Sequence, residues 1–321
     1  MTIDLPTLGI GVDIGGTSTK AAVVDGQGDV KASISIPTVG GPDGVVATAV
    51  KATLTVARCA AISTGDVEAI GFGIPGVVDP HRGTVRYAVN VGLDDTEFEL
   101  GARLADELGT AVHMENDVRA AAFGADWVIA STDRPVDDLA YLSIGTGIAA
   151  GYVEHGRVRR GSTFVAGEIG HIPIDSRGPR CVCGQIGCIE AIASGSAIER
   201  LWPTVDGSPV VDLHHAATHG NESAHELWSS VVGGLSRAVL LLALTWDPQV
   251  IVLSGGVSAL GDVLRYEITT RLRHDVTRSG FLDSLDLGTR LRVIEPSVPL
   301  GPIGAIRAAH AATVGNPVWL P

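Results

Sequence analysis

Positive charge is in short supply: 23 Lys and Arg stand against 36 Asp and Glu across 321 residues, a net charge of −13. Proteins hold nucleic acids by neutralising phosphates with cationic side chains, so a nucleic-acid partner is not expected. Long apolar runs are missing too. The longest, residues 238–244, is broken by Thr245 and Asp247 and falls short of a bilayer's span, so no membrane partner is expected. Cysteine occurs four times and no secretory signal is visible, which argues against a disulfide framework and places the protein in the cytoplasm. No linker or low-complexity stretch interrupts the chain. What is present, a hydrophobic fraction of 45% and 41 glycines, fits a soluble α/β protein with many tight turns, long enough for two domains.

Three of the four cysteines lie in the stretch around which the rest is organised: Gly167-Glu168-Ile169-Gly170-His171, followed by Cys181, Cys183, Cys188 and Glu190. His171 with these cysteines is a nitrogen and sulfur set that suits tetrahedral Zn²⁺, and Gly184 and Gly187 let the backbone turn between ligands. Buried cysteines can also pack as small hydrophobes, but Cys181 and Cys183 do not sit in an apolar run. All four positions are filled by protein, so the metal is expected to be structural. Its work would be to hold Glu168 and Glu190 near each other and near the imidazole, whose second nitrogen can donate to a ligand hydroxyl. Two acceptors and one donor in a rigid frame suit a polyhydroxylated molecule, whereas an isolated glutamate reads as a solvated surface group.

From the N-terminus, residues 8–14 read as a buried strand, Gly15-Gly16-Thr17 as a glycine turn, and 21–24 as a returning strand. This is neither a Walker A loop nor a dinucleotide fingerprint, because no helix and no Gly-Lys-Ser/Thr ending follow. The pattern recurs 130 residues on: laying Ile14 on Ile144 places Gly15 on Gly145, Val23 on Val153 and Gly26 on Gly156, with Thr146 and Gly147 completing the second turn. Such a repeat predicts two similar domains, each presenting a turn rich in N–H groups to a shared cleft, where the pair can clamp a chain of phosphates. Singly, each is an ordinary hairpin turn.

Between the turns, residues 43–59 read as helix, 67–74 as a strand ending in Gly73-Ile74-Pro75-Gly76, 98–108 as helix and 110–114 as strand. Glu115-Asn116-Asp117 stands at that strand's carboxyl end before a helix over 118–127, where open α/β sheets place chemistry; Asn116 and Asp117 equally suit helix caps. After the cysteines come a loop-rich region over 202–220, a helix over 222–245 and a strand over 250–253 leading to Gly255-Gly256, which can take a base or ribose at close range. A helix over 263–273, a strand over 290–294 and a helix over 303–312 close the chain.

Together these motifs resemble the family of repressors, open-reading-frame proteins and sugar kinases, ROK, within the actin, hexokinase and Hsp70-like ATPase fold. Asp13-Ile14-Gly15-Gly16-Thr17 resembles the first phosphate motif, Gly145-Thr146-Gly147 the second, Glu115-Asn116-Asp117 the catalytic junction, and residues 167–171 with the cysteines the zinc signature. The resemblance implies two ribonuclease H-like α/β domains flanking a cleft, one from residues 1–118 and about 301–321, the other from 119–300. It implies an ATP-dependent hexose kinase acting on a sugar 6-hydroxyl, glucose first and N-acetylglucosamine or N-acetylmannosamine next. Asp117 would be the base, and Asp13 would position the Mg²⁺ carried with ATP. Asn116, Glu168, His171 and Glu190 would hold the sugar, with Gly76 and Asn90 near its C2. Gly15, Gly16, Thr17, Gly145, Thr146 and Gly147 would cradle phosphates, and Gly255 and Gly256 would face the adenosine. Phosphoryl transfer needs positioning and charge neutralisation more than covalent help, so this set suffices. Domain closure would exclude water, and the family expectation is a homodimer or homotetramer.

The chain departs from the family pattern in three places. Ser18 stands where many relatives carry lysine, and Lys20 is given no catalytic role. Ala149 and Ala150 replace glycines, and Ile189-Glu190-Ala191 replaces a Trp-Glu-Gln common in glucokinases, which weakens the case for glucose specifically. The rival from another class is a sugar-sensing regulator without catalysis. Such relatives carry a helix-turn-helix domain before the first phosphate motif and tend to lose the catalytic aspartate, whereas here twelve residues precede Asp13 and Asp117 is present. Polyphosphate-using relatives generally lack the cysteine cluster, and a pure binding protein would need neither Asp117 nor two phosphate turns.

Overall fold

Leu8–Ile14 carries apolar or glycine residues on both faces apart from Asp13, a pattern that suits a strand covered on both sides. In the computed structural model, which describes residues 4–132, 134–277 and 279–315 and the backbone of Trp319–Leu320, this strand is central to the first of two compact units. That unit comprises Met1–Asp137, Gly151–Ala166 and Pro299–Pro321; the second comprises Asp138–Ala150 and Gly167–Val298. Of the domain limits expected from the sequence, residues 1–3, 316–318 and 321 lie outside the described residues.

In the first unit β1 (Leu8–Ile14) returns antiparallel through β2 (Ser18–Asp25) to β3 (Val30–Pro37), and the helix α1 (Pro42–Cys59) leads to β4 (Ala69–Ile74). A small hairpin of β5 (Val77–Asp79) and β6 (Thr84–Arg86) follows, then α2 (Leu100–Leu108), β7 (His113–Asn116) and α3 (Asp117–Thr132). The sheet order is β3-β2-β1-β4-β7, with β1, β4 and β7 parallel. Val45, Ala49, Ala52 and Val56 recur at helical spacing on α1 and share one core with Leu100, Leu104, Ile10, Phe72 and Ile74. The chain's last helix, Leu300–Thr313, touches the sheet with its backbone: a Cβ on Gly11 would stand 2.0 Å from the Pro302 carbonyl oxygen, and one on Gly71 1.9 Å from that of Ala305. Only glycine permits that approach. Arg307, 0% exposed, locks the same helix to α3 by donating to Asp126 at 3.1 Å and to the Phe123 carbonyl while lying over the Phe123 ring.

β8 (Asp138–Ile144) opens the second unit, and β9 (Ile148–Glu154) and β10 (Arg157–Arg159) follow in the chain. Then come α4 (Ile189–Ala193), α5 (Gly195–Leu201), α6 (Pro209–Thr218), α7 (Glu222–Trp246), β11 (Val250–Ser254), α8 (Asp262–Val276) and β12 (Leu291–Val293). The strand order β10-β9-β8-β11-β12 repeats β3-β2-β1-β4-β7, and β8 begins and ends 130 residues after β1 (138 less 8, 144 less 14). The repeat read from the glycine turns is therefore one of topology as well as sequence.

The short elements β5, β6, β10, α4 and α5 were not read from the sequence, and three further points go beyond that reading. The region 202–220 holds α6, whose buried Val210, Leu213 and Ala217 are too few, among histidines and flanking glycines, to declare a helical face. Val30–Pro37, left unassigned, is an edge strand in which Lys31, Ser33 and Ser35 alternate with half-buried Ala32, Ile34 and Ile36. And although no contiguous apolar run spans a bilayer, α7 is long and apolar enough to do so by length and composition. Its Trp228, Val231, Leu235, Val239 and Leu242 are buried, as in the core helix of a globular unit.

Candidate active site

The site residues fall into two groups, one in each unit. In the first unit, the turn after β1 is closed by the Gly15 N–H donating to the Ser18 carbonyl at 3.0 Å, and the Thr17 carbonyl accepts from the Thr38 N–H at 3.0 Å. Gly16 backs onto Asn90, whose carbonyl oxygen would be 2.9 Å from a Cβ there. Asp13, at the end of β1, lies where the last helix begins: a Cβ on Gly301 would come within 2.8 Å of its Cγ and Oδ2. On another side Gly73 leaves room, its imagined Cβ being 3.7 Å from Asp13 Oδ1 and 3.4 Å from the Asp117 Cα. Burial and then the charge of Asp117 push the half-buried Asp13 carboxyl up to about 7, against a smaller opposing pull from Lys20 across the strand pair. A carboxyl raised by burial beside a second acid is a place that would favour a cation.

β7 runs to Asn116, two residues further than the strand expected over 110–114, and α3 starts directly at Asp117. Asn116 is the cap: its Oδ1 accepts the Arg119 N–H at 3.1 Å, and its Nδ2 donates to the Gly76 carbonyl at 3.2 Å. Gly76 is held at φ +94°, with the backbone of Arg86 and Ala88 packed where a side chain would be. The Asp117 carboxylate, partly exposed, accepts the N–H of Val118 at 2.9 Å. Behind them lies Glu115, whose Oε1 accepts from the Asn116 N–H (2.9 Å) and Arg119 Nε (3.2 Å), and whose Oε2 accepts from Arg160 Nε (2.8 Å) and Nη2. Burial alone would raise the Glu115 carboxyl, but the guanidiniums of Arg160 and Arg119 outweigh it and bring it to about 2. Thus Asp13, Gly16, Gly76, Asn90, Asn116 and Asp117 belong to the first unit.

In the second unit the turn Gly145-Thr146-Gly147 has its carbonyls occupied from below: Gly195 N–H donates to Gly145 O at 2.8 Å and Ser196 Oγ to Thr146 O at 2.7 Å. Glu190 Oε2 accepts the Ile148 N–H at 2.9 Å and stands 2.4 Å from where a Gly147 Cβ would be. The loop carrying Glu168 and His171 lies on β9, with Gly167 and Gly170 touching the carbonyls of Ala150 and Ile148 and Gly170 also near the Glu190 Cβ. Gly255, at φ +104°, abuts the end of β8, while a Cβ on Gly256 would meet nothing within 4 Å among the described residues.

The donor atoms of His171, Cys181, Cys183 and Cys188 lie within 4.8 Å of one another. Cys181 Sγ is 3.7 Å from His171 Nδ1, and Cys183 Sγ is 3.7 Å from Cys188 Sγ. A tetrahedral ion with Zn–S bonds of about 2.3 Å needs S–S edges of about 3.8 Å, so the set has the dimensions of a zinc site. Gln185 Nε2 braces it by donating to the His171 carbonyl at 2.9 Å. Burial pushes the Cys188 thiol up to about 12, whereas the amides of Gln185 lower Cys183 to about 6, so a cation is what would bring all three to thiolates.

Sequence reasoning missed Arg119, Arg160, Gly301 and Ser196. Arg119 was accessible, four residues after Glu115 on a helix start. Arg160, 45 residues from its partner, and Gly301, from the far end of the chain, carry no local signal.

A sequence model described as the ROK family matches residues 9–283. A glucokinase from Thermotoga maritima is 32% identical over 274 residues, covering 79% of this chain and 84% of that protein. An N-acetylmannosamine kinase from Vibrio vulnificus is 33% identical over 253 residues, covering 77% and 82%. Among solved structures, a ROK family glucokinase from Streptomyces griseus in complex with glucose and AMPPNP superposes with a TM-score of 0.75 at 29% identity, covering 94% of this chain and 98% of that one.

Proposed function

This chain belongs to the ROK family, and from that premise we propose that it is an ATP-dependent hexose kinase that phosphorylates the 6-hydroxyl of a sugar, glucose first. The observation that carries the reading is the pairing of Asp117 with Asp13 at the first phosphate turn. There a partly exposed carboxylate at a helix start stands near an acid that would hold a cation, each with a glycine in place of a side chain beside it. Asp117 takes the proton of the sugar hydroxyl as it attacks the terminal phosphorus of ATP. Asp13 holds the Mg²⁺ that accompanies the nucleotide, and the ion supplies charge neutralisation on the phosphates. The N–H groups of Gly15 to Thr17 and Gly145 to Gly147 cradle those phosphates, and Gly255-Gly256 receives the adenosine. Asn116, Glu168, His171 and Glu190 hold the sugar, Gly76 and Asn90 lie near its C2, and the His171-Cys181-Cys183-Cys188 set holds a structural Zn²⁺ that stiffens the loop bearing Glu168.

The protein works in the cytoplasm as a homodimer or homotetramer, without nucleic-acid or membrane partners. An N-acetylhexosamine is the second candidate substrate, supported by the similarity to an N-acetylmannosamine kinase. The test is ADP release with Mg-ATP across glucose, mannose, N-acetylglucosamine and N-acetylmannosamine, with Asp117→Asn beside the wild type. Turnover on one sugar, lowered about 10²- to 10⁴-fold in the variant, is the expected result. ATP hydrolysis indifferent to every sugar, or binding of a sugar without turnover, would replace the kinase with a sugar-sensing regulator.

A further inference from the structure

Glu115, Arg119 and Arg160 are 1%, 2% and 2% exposed, yet none of them reaches solvent where a substrate would bind. Three charges sealed in this way are a poor device for stability, because buried ion pairs are often matched or bettered by apolar residues of similar volume. Their geometry suggests another use. Glu115 Oε2 is taken by Arg160 Nε and Nη2, and Oε1 by Arg119 Nε and by the backbone N–H of Asn116. Asn116 in turn caps the Arg119 N–H. Two residues of the turn that carries Asp117, Asn116 and Arg119, are thereby fixed to one carboxylate, and that carboxylate is fixed by one guanidinium from a distant segment.

The segment itself is tied back. Arg119 Nη1 donates to the Phe164 carbonyl at 3.0 Å, the Ala166 N–H donates to the Arg160 carbonyl at 3.2 Å, and Phe164 is held at φ +60°. A bulky residue in the left-handed region persists only where its surroundings over-determine it, and here the carbonyl it presents is the one Arg119 uses.

We propose that Arg160 is a positioning residue for phosphoryl transfer: through Glu115 it sets the Asn116–Arg119 turn and hence the direction of the Asp117 carboxylate. The inference rests on the reading of Asp117 as the base. Lysine would bring the charge but not two donors in one plane, so the fork is the property used.

Arg160→Lys separates the two. A small misplacement of a catalytic group costs up to about 100-fold, so kcat on the preferred sugar is expected to fall by about 10- to 100-fold, while the KM for ATP stays within twofold and the protein remains folded. Arg119→Gln, which removes the arm to Phe164, is expected to lower kcat in the same sense by a smaller factor. A folded Arg160→Lys protein with kcat within twofold of wild type, or with a loss in kcat matched by a rise in the KM for ATP, would overturn the proposal. Should Arg160→Lys fail to fold, Arg119→Gln decides by the same two criteria. A wild-type protein that turns over no sugar withdraws the kinase reading, and this proposal with it, which a wild type that is active beside an unimpaired variant does not.

Discussion

Replacing Glu115 by glutamine tests how the first unit's buried charges are balanced. The neutral amide leaves Arg119 and Arg160 without a counter-charge in a site of 1–2% exposure, and breaking a buried pair in this way costs on the order of 3–5 kcal/mol at pH 7. The pH dependence is the sharper readout. Glu115 titrates near 4.5 when unfolded and at about 2 when folded. A lowered folded value means that its stabilisation is complete above the unfolded value and is lost as pH falls through the window from 4.5 to 2. At about 1.4 kcal/mol per unit, the whole window is worth about 3 kcal/mol, of which about 1 kcal/mol disappears between pH 4.5 and 3.5. His113, which burial lowers to about 4 against an upward pull from Glu115, adds its own acid sensitivity chiefly between pH 6.5 and 4, so the comparison is made with His113→Gln in both backgrounds. In urea unfolding followed by circular dichroism, the gap between wild type and Glu115→Gln is expected to narrow by about 1 kcal/mol over that single pH unit. A gap that stays constant or widens with acid would refute the reasoning.

Cys188→Ser removes a fully buried ligand of the four. Elemental analysis is expected to show one bound zinc per chain in the wild type and far less in the variant, with sugar turnover lost in parallel; a variant that keeps stoichiometric metal would show the ligand set to be wrong. Gly301→Ala places a methyl group 2.8 Å from the Asp13 carboxylate, which must then turn away. Its expected signature is a kcat reduced at least about tenfold with a raised Mg²⁺ requirement, since the cation loses its anchor, and an unaltered Mg²⁺ titration would count against Asp13 as that anchor.

How much of this was readable in one sequence depended on the range of the interaction. β1 and β8 end on glycine turns at a fixed offset because hairpin geometry is local, and the offset of 130 residues appears unaltered in the two strands. His171 and the cysteines were legible as a set because they stand close in the chain, and the structure brings their donor atoms within 4.8 Å of one another. Asn116 and Asp117 were ambiguous between cap and chemistry, and the structure divides the work: Asn116 caps α3, while Asp117 stands at its first residue with its carboxylate partly exposed. What stayed hidden is held by contacts between distant segments. Arg160 on Glu115, Gly301 on Asp13 and Gly195 under Gly145 each join segments 45 to 288 residues apart, and no periodicity records such a meeting. α6 was missed for the opposite reason, its apolar face being too short to stand out from its histidines.

The hydrogen-bond capacity that each unit has already spent limits what it can recognise. Asn116 gives one lone pair of its oxygen to the Arg119 N–H and one amide hydrogen to Gly76, so the donor it has left for a ligand is a single N–H. Glu190 gives Oε2 to the Ile148 N–H, which leaves Oε1, an acceptor alone. With Nδ1 turned to the cysteines, His171 has Nε2 left, and a metal on Nδ1 makes that nitrogen the one that carries the hydrogen. Within the second unit, a carboxylate or phosphate ligand could accept from His171 but would confront Glu190 with a second anion. A hydroxyl can accept from the first and donate to the second. The donor and acceptor left there suit a hydroxyl and oppose an anionic group, which supports the proposal of a neutral sugar, rather than a sugar acid or a sugar already phosphorylated, as the acceptor.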